Sequence, residues 1–251
     1  KKRVKTWIEN PGAQAYEAPL GSLSFNFNTI KVYVSPGQKV GDQPEIVIEP
    51  ENGYIKLENN ARTFKRGRHN RLIVNRVAKE DHDLITISGG INLGQPRAQY
   101  FLNITKPTQY ALNVFKSYIE RAGIKFNGKL LKGKLPGNAV ELYTHKGEPL
   151  ALILRGLNKF SNNFVAEQIL KTIGAEHFGP PGSTKKGLSV FEEYMRQLGY
   201  ESGQYRIFDG SGLSRQNRLS PLILVDILRN VKNDLSVYPE FVTALGVMGV
   251  D

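Results

Sequence analysis

No cysteine occurs among the 251 residues, which excludes disulfides, thiolate catalysis and Cys-ligated zinc within this sequence. A chain without cysteine is chemically safe in any redox environment, so the compartment stays open on this ground. Histidine is scarce too. His69, His82, His145 and His177 are scattered, with no i,i+4 pair and no HExxH string, so a His-based metal site is not expected. No apolar run reaches the length of a membrane-crossing helix, so no membrane span is expected. The opening "KKRVKTWIEN" has neither an initiator Met nor the apolar stretch of a secretion signal. It reads as the interior of a longer chain, and the ending "LGVMGVD" reads the same way.

What the chain does have is an ordinary globular balance, 40% hydrophobic and 23% charged, and length enough for one or two domains. Its net charge of +11 suits an anionic partner: nucleic acid, an acidic cell-wall polymer or membrane headgroups. The same charge is also explained by solubility alone.

The character of the sequence changes near residue 106. Before it, "TIKVYV", "EIVIEP", "YIKLEN", "RLIVNRV", "DLITIS" and "AQYFLNI" are β-branched runs divided by Gly, Pro, Asn and Asp. These predict strands of an antiparallel sheet. Arg62, Lys65, Arg66, Arg68 and Arg71 cluster on a connection between two of the runs. That cluster lacks the interleaved aromatics of a single-strand nucleic-acid surface and reads as a solvated loop.

From Pro107 onward the period is helical. Ala111, Val114, Phe115, Tyr118 and Ala122 form one stripe, closed by Gly123. Leu150, Ile153, Leu154 and Leu157 form the next; "FVAEQILKTIG" follows Ser161 and is expected to end at Gly174. Leu188, Phe191, Met195 and Leu198 form another stripe, and Ser220-Pro221 is an N-cap with Pro at N1 opening "LILVDIL". "IKFNGKL" and "YRIFDGSGLSR" are read as short strands entering turns.

Between two helical stripes stands "NKFSNNFV", residues 158–165, with Ser161, Asn162 and Asn163 side by side. Small polar residues of this kind cap helices, and capping alone accounts for such a triplet. A second reading is chemical. A hydroxyl can pass a proton, and a carboxamide two residues on can both donate to and accept from an extended peptide backbone.

The blocks "YEAPLGSLSFNFNTIKVYVSPG", "HKGEPLALILRGLNKFSNNFVAEQILKTIG", "FDGSGLSRQNRLSP" and "FVTALGVMGVD" resemble, in order, the penicillin-recognising serine hydrolases. The resemblance is to the low-molecular-mass class C penicillin-binding proteins, the D-alanyl-D-alanine carboxypeptidase/endopeptidase group (peptidase S13-like). "SNN" fits the S-x-N motif of that superfamily, whose other motifs are S-x-x-K and K-T-G. Ser183-Thr184-Lys185-Lys186 spells S-x-x-K, but it follows the S-x-N block and lies in a Pro/Gly-rich loop. Lys171-Thr172-Ile173-Gly174 has one residue too many for K-T-G and sits at the expected end of a helix. The resemblance therefore puts S-x-x-K before Lys1 and K-T-G after Asp251.

The resemblance implies an α/β fold of the α+β type: a transpeptidase-like domain of helices on an antiparallel sheet, with an inserted β-rich domain. Residues 1–30 would belong to the transpeptidase-like domain or connect to it, 31–105 would be the insertion, and 106–251 would carry the S-x-N motif. The implied reaction is acyl transfer at a D-Ala-D-Ala bond of peptidoglycan stem peptides, with no cofactor and with β-lactams as covalent inhibitors. Ser161 would relay a proton to the leaving amine, and Asn163 would hold the substrate's amide. "DGSGLSR" is a compact turn by its own chemistry. The resemblance sets it beside the cleft, where Arg215, and more weakly Ser211, would bind the stem peptide through its carboxylate. The location implied is periplasmic. Two alternatives stand beside this reading: a non-catalytic peptidoglycan-binding relative, and a nucleic-acid binder, for which no recognition motif is present.

Overall fold

The computed structural model describes residues 12–67 and 71–249. Arg68 of the basic cluster, His69, residues 1–11 and the final two positions lie outside the described residues. By packing of the backbone the described residues divide into two compact units, 12–133 and 134–249. The change of character expected at 105/106 thus precedes the division of the units by one helix.

The first unit holds the strands. β1 (Thr29–Ser35) lies between β2 (Glu45–Glu49) and β7 (Ala98–Asn103), antiparallel to both. Burial alternates along β1, which places Ile30, Val32 and Val34 in the core, as a half-buried strand requires. The second sheet is built around β6 (Asp83–Asn92) with β3 (Ile55–Asn59), β4 (Arg62–Phe64) and β5 (Arg71–Ala78). β5 pairs with β6 antiparallel, but β3 and β4 pair with it parallel. The expectation of a purely antiparallel sheet is corrected here, because residue alternation marks a strand without marking its direction. Arg62 and Arg71 open β4 and β5, and they stay exposed with Lys65 and Arg66 between them.

α1 (Pro107–Arg121) belongs to this unit. Its Tyr110 is fully buried, donates to the carbonyl of Thr29 at 3.0 Å and meets Tyr54 edge to face at 6.2 Å. Burial and the neighbouring Asp83 push the Tyr54 hydroxyl up to about 12, although its hydrogen bond with Thr105 pulls the other way. The strand expected at "IKFNGKL" is absent; 124–130 is mostly exposed and irregular.

The second unit is helical: α2 (Leu150–Phe160), α3 (Asn163–Phe178), α4 (Thr184–Gln197), α5 (Pro221–Asn233) and α6 (Tyr238–Ala244). α3 runs past Gly174 to Phe178, so the expected stop is corrected. Gly174 serves a close crossing instead. A Cβ there would stand 2.5 Å from the amide nitrogen of Gly187 in α4, and one at Gly187 would stand 2.1 Å from the carbonyl oxygen of Leu170. Tyr194 and Tyr200 donate to Asn230 and Asp226 at 3.0 and 2.6 Å, which ties α4 and the turn after it to α5. Ser220 caps α5 by accepting from Ile223, as the sequence predicts. Lys159 of α2 donates to the carbonyl of Leu245, just after α6, at 2.9 Å.

Candidate active site

The junction of α2 and α3 is the S-x-N triplet. Ser161 ends α2 in the left-handed region, at φ 49° and ψ 51°. It is the one non-glycine residue with positive φ among the described residues of its unit. Such a backbone costs an L-residue about 1–2 kcal/mol and collects at functional sites and tight reversals. The N–H groups of Ser161 and Asn162 both donate to the carbonyl of Leu157, which closes α2. The chain then reverses into α3, and its cap is the middle residue. Asn162 Oδ1 accepts the N–H of Val165 at 3.1 Å. Capping therefore falls to the position the motif leaves variable. The Ser161 residue is exposed, and Asn163, at the first position of α3, is half-buried.

One turn further along α3, Glu167 is fully buried. Its Oε1 accepts the N–H groups of Gly210 and Ser211 at 2.7 and 3.0 Å, while its Oε2 is buried without a hydrogen-bond partner. Burial raises the Glu167 carboxyl above its ordinary range, and the charge of Asp209 adds to this against the two backbone donors. On the next turn Lys171 is pushed down by burial, with the carboxylate of Glu167 opposing.

The turn that Glu167 holds is organised by Asp209. Its Oδ1 accepts from Gly212 N–H and the Asn217 amide, both at 2.9 Å, and its Oδ2 accepts from Ser214 N–H at 2.7 Å. Asn217 in turn accepts from Phe208 N–H at 2.8 Å. These acceptors explain why the strand expected across "YRIFDGSGLSR" is absent. The amides of residues 210, 211, 212 and 214 are taken by carboxylates, leaving a single bridge between Arg206 and Arg218. Ser211 is half-buried in this turn and Arg215 is exposed.

The two look-alike motifs have other duties. Ser183 caps α4 by accepting from Lys186 N–H at 3.2 Å, and Lys186 Nζ donates to the carbonyls of Gly179 and Pro181. Thr172 and Gly174 lie inside α3, where Thr172 bonds back to Gln168. A cavity of about 390 Å³ opens between α4 and 201–208, lined by Phe191, Arg196, Glu201, Tyr205 and Arg206 among others. Ser161, Asn163, Ser211 and Arg215 are not part of its wall.

The profile of the D-Ala-D-Ala carboxypeptidase 3 (S13) family matches residues 1–251. The chain belongs to that family. A D-alanyl-D-alanine carboxypeptidase of an Actinomadura species is 28% identical over 237 residues, 91% of this chain and 43% of that protein. The D-alanyl-D-alanine carboxypeptidase DacB of Haemophilus influenzae is 27% identical over 143 residues, 57% of this chain and 29% of that protein. Penicillin-binding protein 4 of Haemophilus influenzae superposes with a TM-score of 0.75 at 18% identity, covering 95% of this chain and 53% of the other. Its complex with a β-lactam superposes at 0.69, also at 18% identity, over 92% of this chain and 53% of the other. The mixed α/β architecture is thus that of a penicillin-binding protein. This S13-family chain spans about half the length, or less, of the relatives it matches.

Sequence reasoning missed Glu167 and gave Asp209 only a turn role. The available signal for Glu167 was its place: an acid inside "FVAEQIL", where apolar residues outnumber polar ones, four positions after Asn163. A solvated acid is not expected on the inward face of a helix.

Proposed function

We propose that the protein carrying this chain is a serine-type D-Ala-D-Ala carboxypeptidase/endopeptidase that acts on peptidoglycan stem peptides through an acyl-enzyme and is acylated by β-lactams. The family match over the whole chain carries this reading, and the α2–α3 junction supplies its chemistry. Ser161 relays the proton from the attacking serine to the leaving amine. Asn163 binds the backbone amide of the substrate. A serine hydroxyl needs a neighbouring base to become nucleophilic at neutral pH. Ser183 and Lys186 are committed to a helix cap and a loop, so the reading assigns the nucleophile and its lysine to the part of the relatives' length that this chain does not cover. K-T-G is assigned there as well, and these 251 residues alone are expected to be inactive.

In this reading 106–251 is transpeptidase-like, 31–105 is the inserted β-rich domain, and residues 1–30 belong to the former or connect to it. Arg215 offers a planar fork to a carboxylate of the stem peptide, with Ser211 beside it. The enzyme works outside the cytoplasm, in the periplasm, where a net charge of +11 favours the acidic stem peptides of the sacculus. Among the described residues no helix is long and apolar enough to cross a membrane.

The test is covalent labelling of the full-length protein with a fluorescent penicillin. One label per chain, lost on hydroxylamine treatment, is the expected result. Binding to purified sacculi without labelling or D-alanine release would instead favour a non-catalytic wall-binding protein.

A further inference from the structure

The turn 209–215 and the S-x-N helix belong to one unit, and one side chain joins them across 43 and 44 positions of sequence. Gly210 lies close against α3: a Cβ there would stand 3.0 Å from the carbonyl oxygen of Ala166 and 3.2 Å from Leu170 Cβ. Glu167 projects from between these two residues and grips the amides of Gly210 and Ser211 with a single oxygen. Asp209 braces the turn from within by accepting three hydrogen bonds. Glu167 stands four residues after Asn163, about 6 Å along the helix. The height of the turn on α3 is therefore measured from the start of the same helix that presents Asn163.

We propose that Glu167 is a positioning residue: it fixes the register of the 209–215 turn, and with it Arg215, relative to Asn163. Its role is acceptance by Oε1, not charge. A glutamine carbonyl has the two lone pairs that the two N–H groups require. The inference rests on the enzyme reading above for the meaning of Arg215, but the grip itself does not.

Two D-alanyl-D-alanine peptides test it on the full-length protein, one with a carboxylate on the stem side chain and one without. Glu167→Ala is expected to raise KM about tenfold more for the carboxylate peptide than for the uncharged one, and Glu167→Gln to restore the wild-type ratio. Gly210→Ala keeps Glu167 but crowds the contact with α3 by a few tenths of an ångström, and should reproduce the selective rise in weaker form. Amide exchange gives a readout free of turnover. Gly210 and Ser211 should exchange at least tenfold faster in Glu167→Ala and at the wild-type rate in Glu167→Gln. Equal loss on both peptides, or a Gln variant that behaves as Ala, overturns the positioning role. Unchanged exchange at both amides overturns the grip, whether or not the protein turns over. Wild-type protein that labels with no penicillin and cleaves neither peptide overturns the enzyme reading alone if the exchange ranking holds.

Discussion

Asn162 Oδ1 accepts the backbone N–H of Val165, so the middle residue of Ser161-Asn162-Asn163 is the one that caps α3. The capping and chemical readings of the triplet had looked like competitors. The structure assigns the cap to the middle residue, so capping of α3 does not by itself account for Ser161 and Asn163.

Asn162→Ala is therefore a stability variant. Loss of an N-cap acceptor costs about 1 kcal/mol. Thermal unfolding should show a lowered midpoint, with the loss matched in urea titration.

Ser161→Gly separates stability from chemistry in the opposite sense. Glycine adopts φ 49° freely. Relief of about 1–2 kcal/mol is partly offset by about 0.5–1 kcal/mol of extra unfolded-chain entropy. The melting temperature should hold or rise, while penicillin acylation of the full-length protein falls by about 10²-fold or more.

Asp209→Ala removes an acceptor of three hydrogen bonds from a residue that is 3% exposed. Leaving those donors unpaired should cost about 3 kcal/mol or more. Asp209→Asn, which keeps an acceptor, should recover part of this in the same denaturant titration.

Glu167 gives a pH dependence whose direction is fixed. Burial raises its folded carboxyl above the ordinary value of 4.5, assisted by Asp209 and resisted by the Gly210 and Ser211 donors, with Lys171 facing it one turn on. The folded state then holds the proton more tightly than the unfolded state. Its contribution is complete below about 4.5 and is lost as pH rises through the folded value. Stability of wild type relative to Glu167→Gln should therefore decline from the ordinary glutamate range upward. A relative stability that rises with pH over that range would contradict the assignment.

Much of this was legible in the sequence, for identifiable reasons. Ile30, Val32 and Val34 alternate and were read as a strand; Ser220-Pro221 announced α5 by cap chemistry alone. Gly174 misled because a glycine can end a helix or let another helix approach, and only the neighbour at Gly187 decides which. The parallel pairing of β3 and β4 with β6 was hidden because side-chain alternation is the same in either direction. Glu167 was hidden because its partners are backbone amides 43 and 44 positions away, and amides carry no residue identity. The motif singles out Ser161 and Asn163, but that Asn162 supplies the cap of α3 lies at the position the motif does not specify.

The most direct measurement is the second-order rate of penicillin acylation in the full-length protein for Ser161→Ala, Asn163→Ala and Asn162→Ala, each with its melting temperature. The account predicts losses of about 10²–10³-fold at 161 and 163, with little change in melting at 161, and at 162 a lower melting temperature with acylation within about tenfold of wild type. A pattern in which 161 and 163 affect melting while acylation proceeds unimpaired would contradict it.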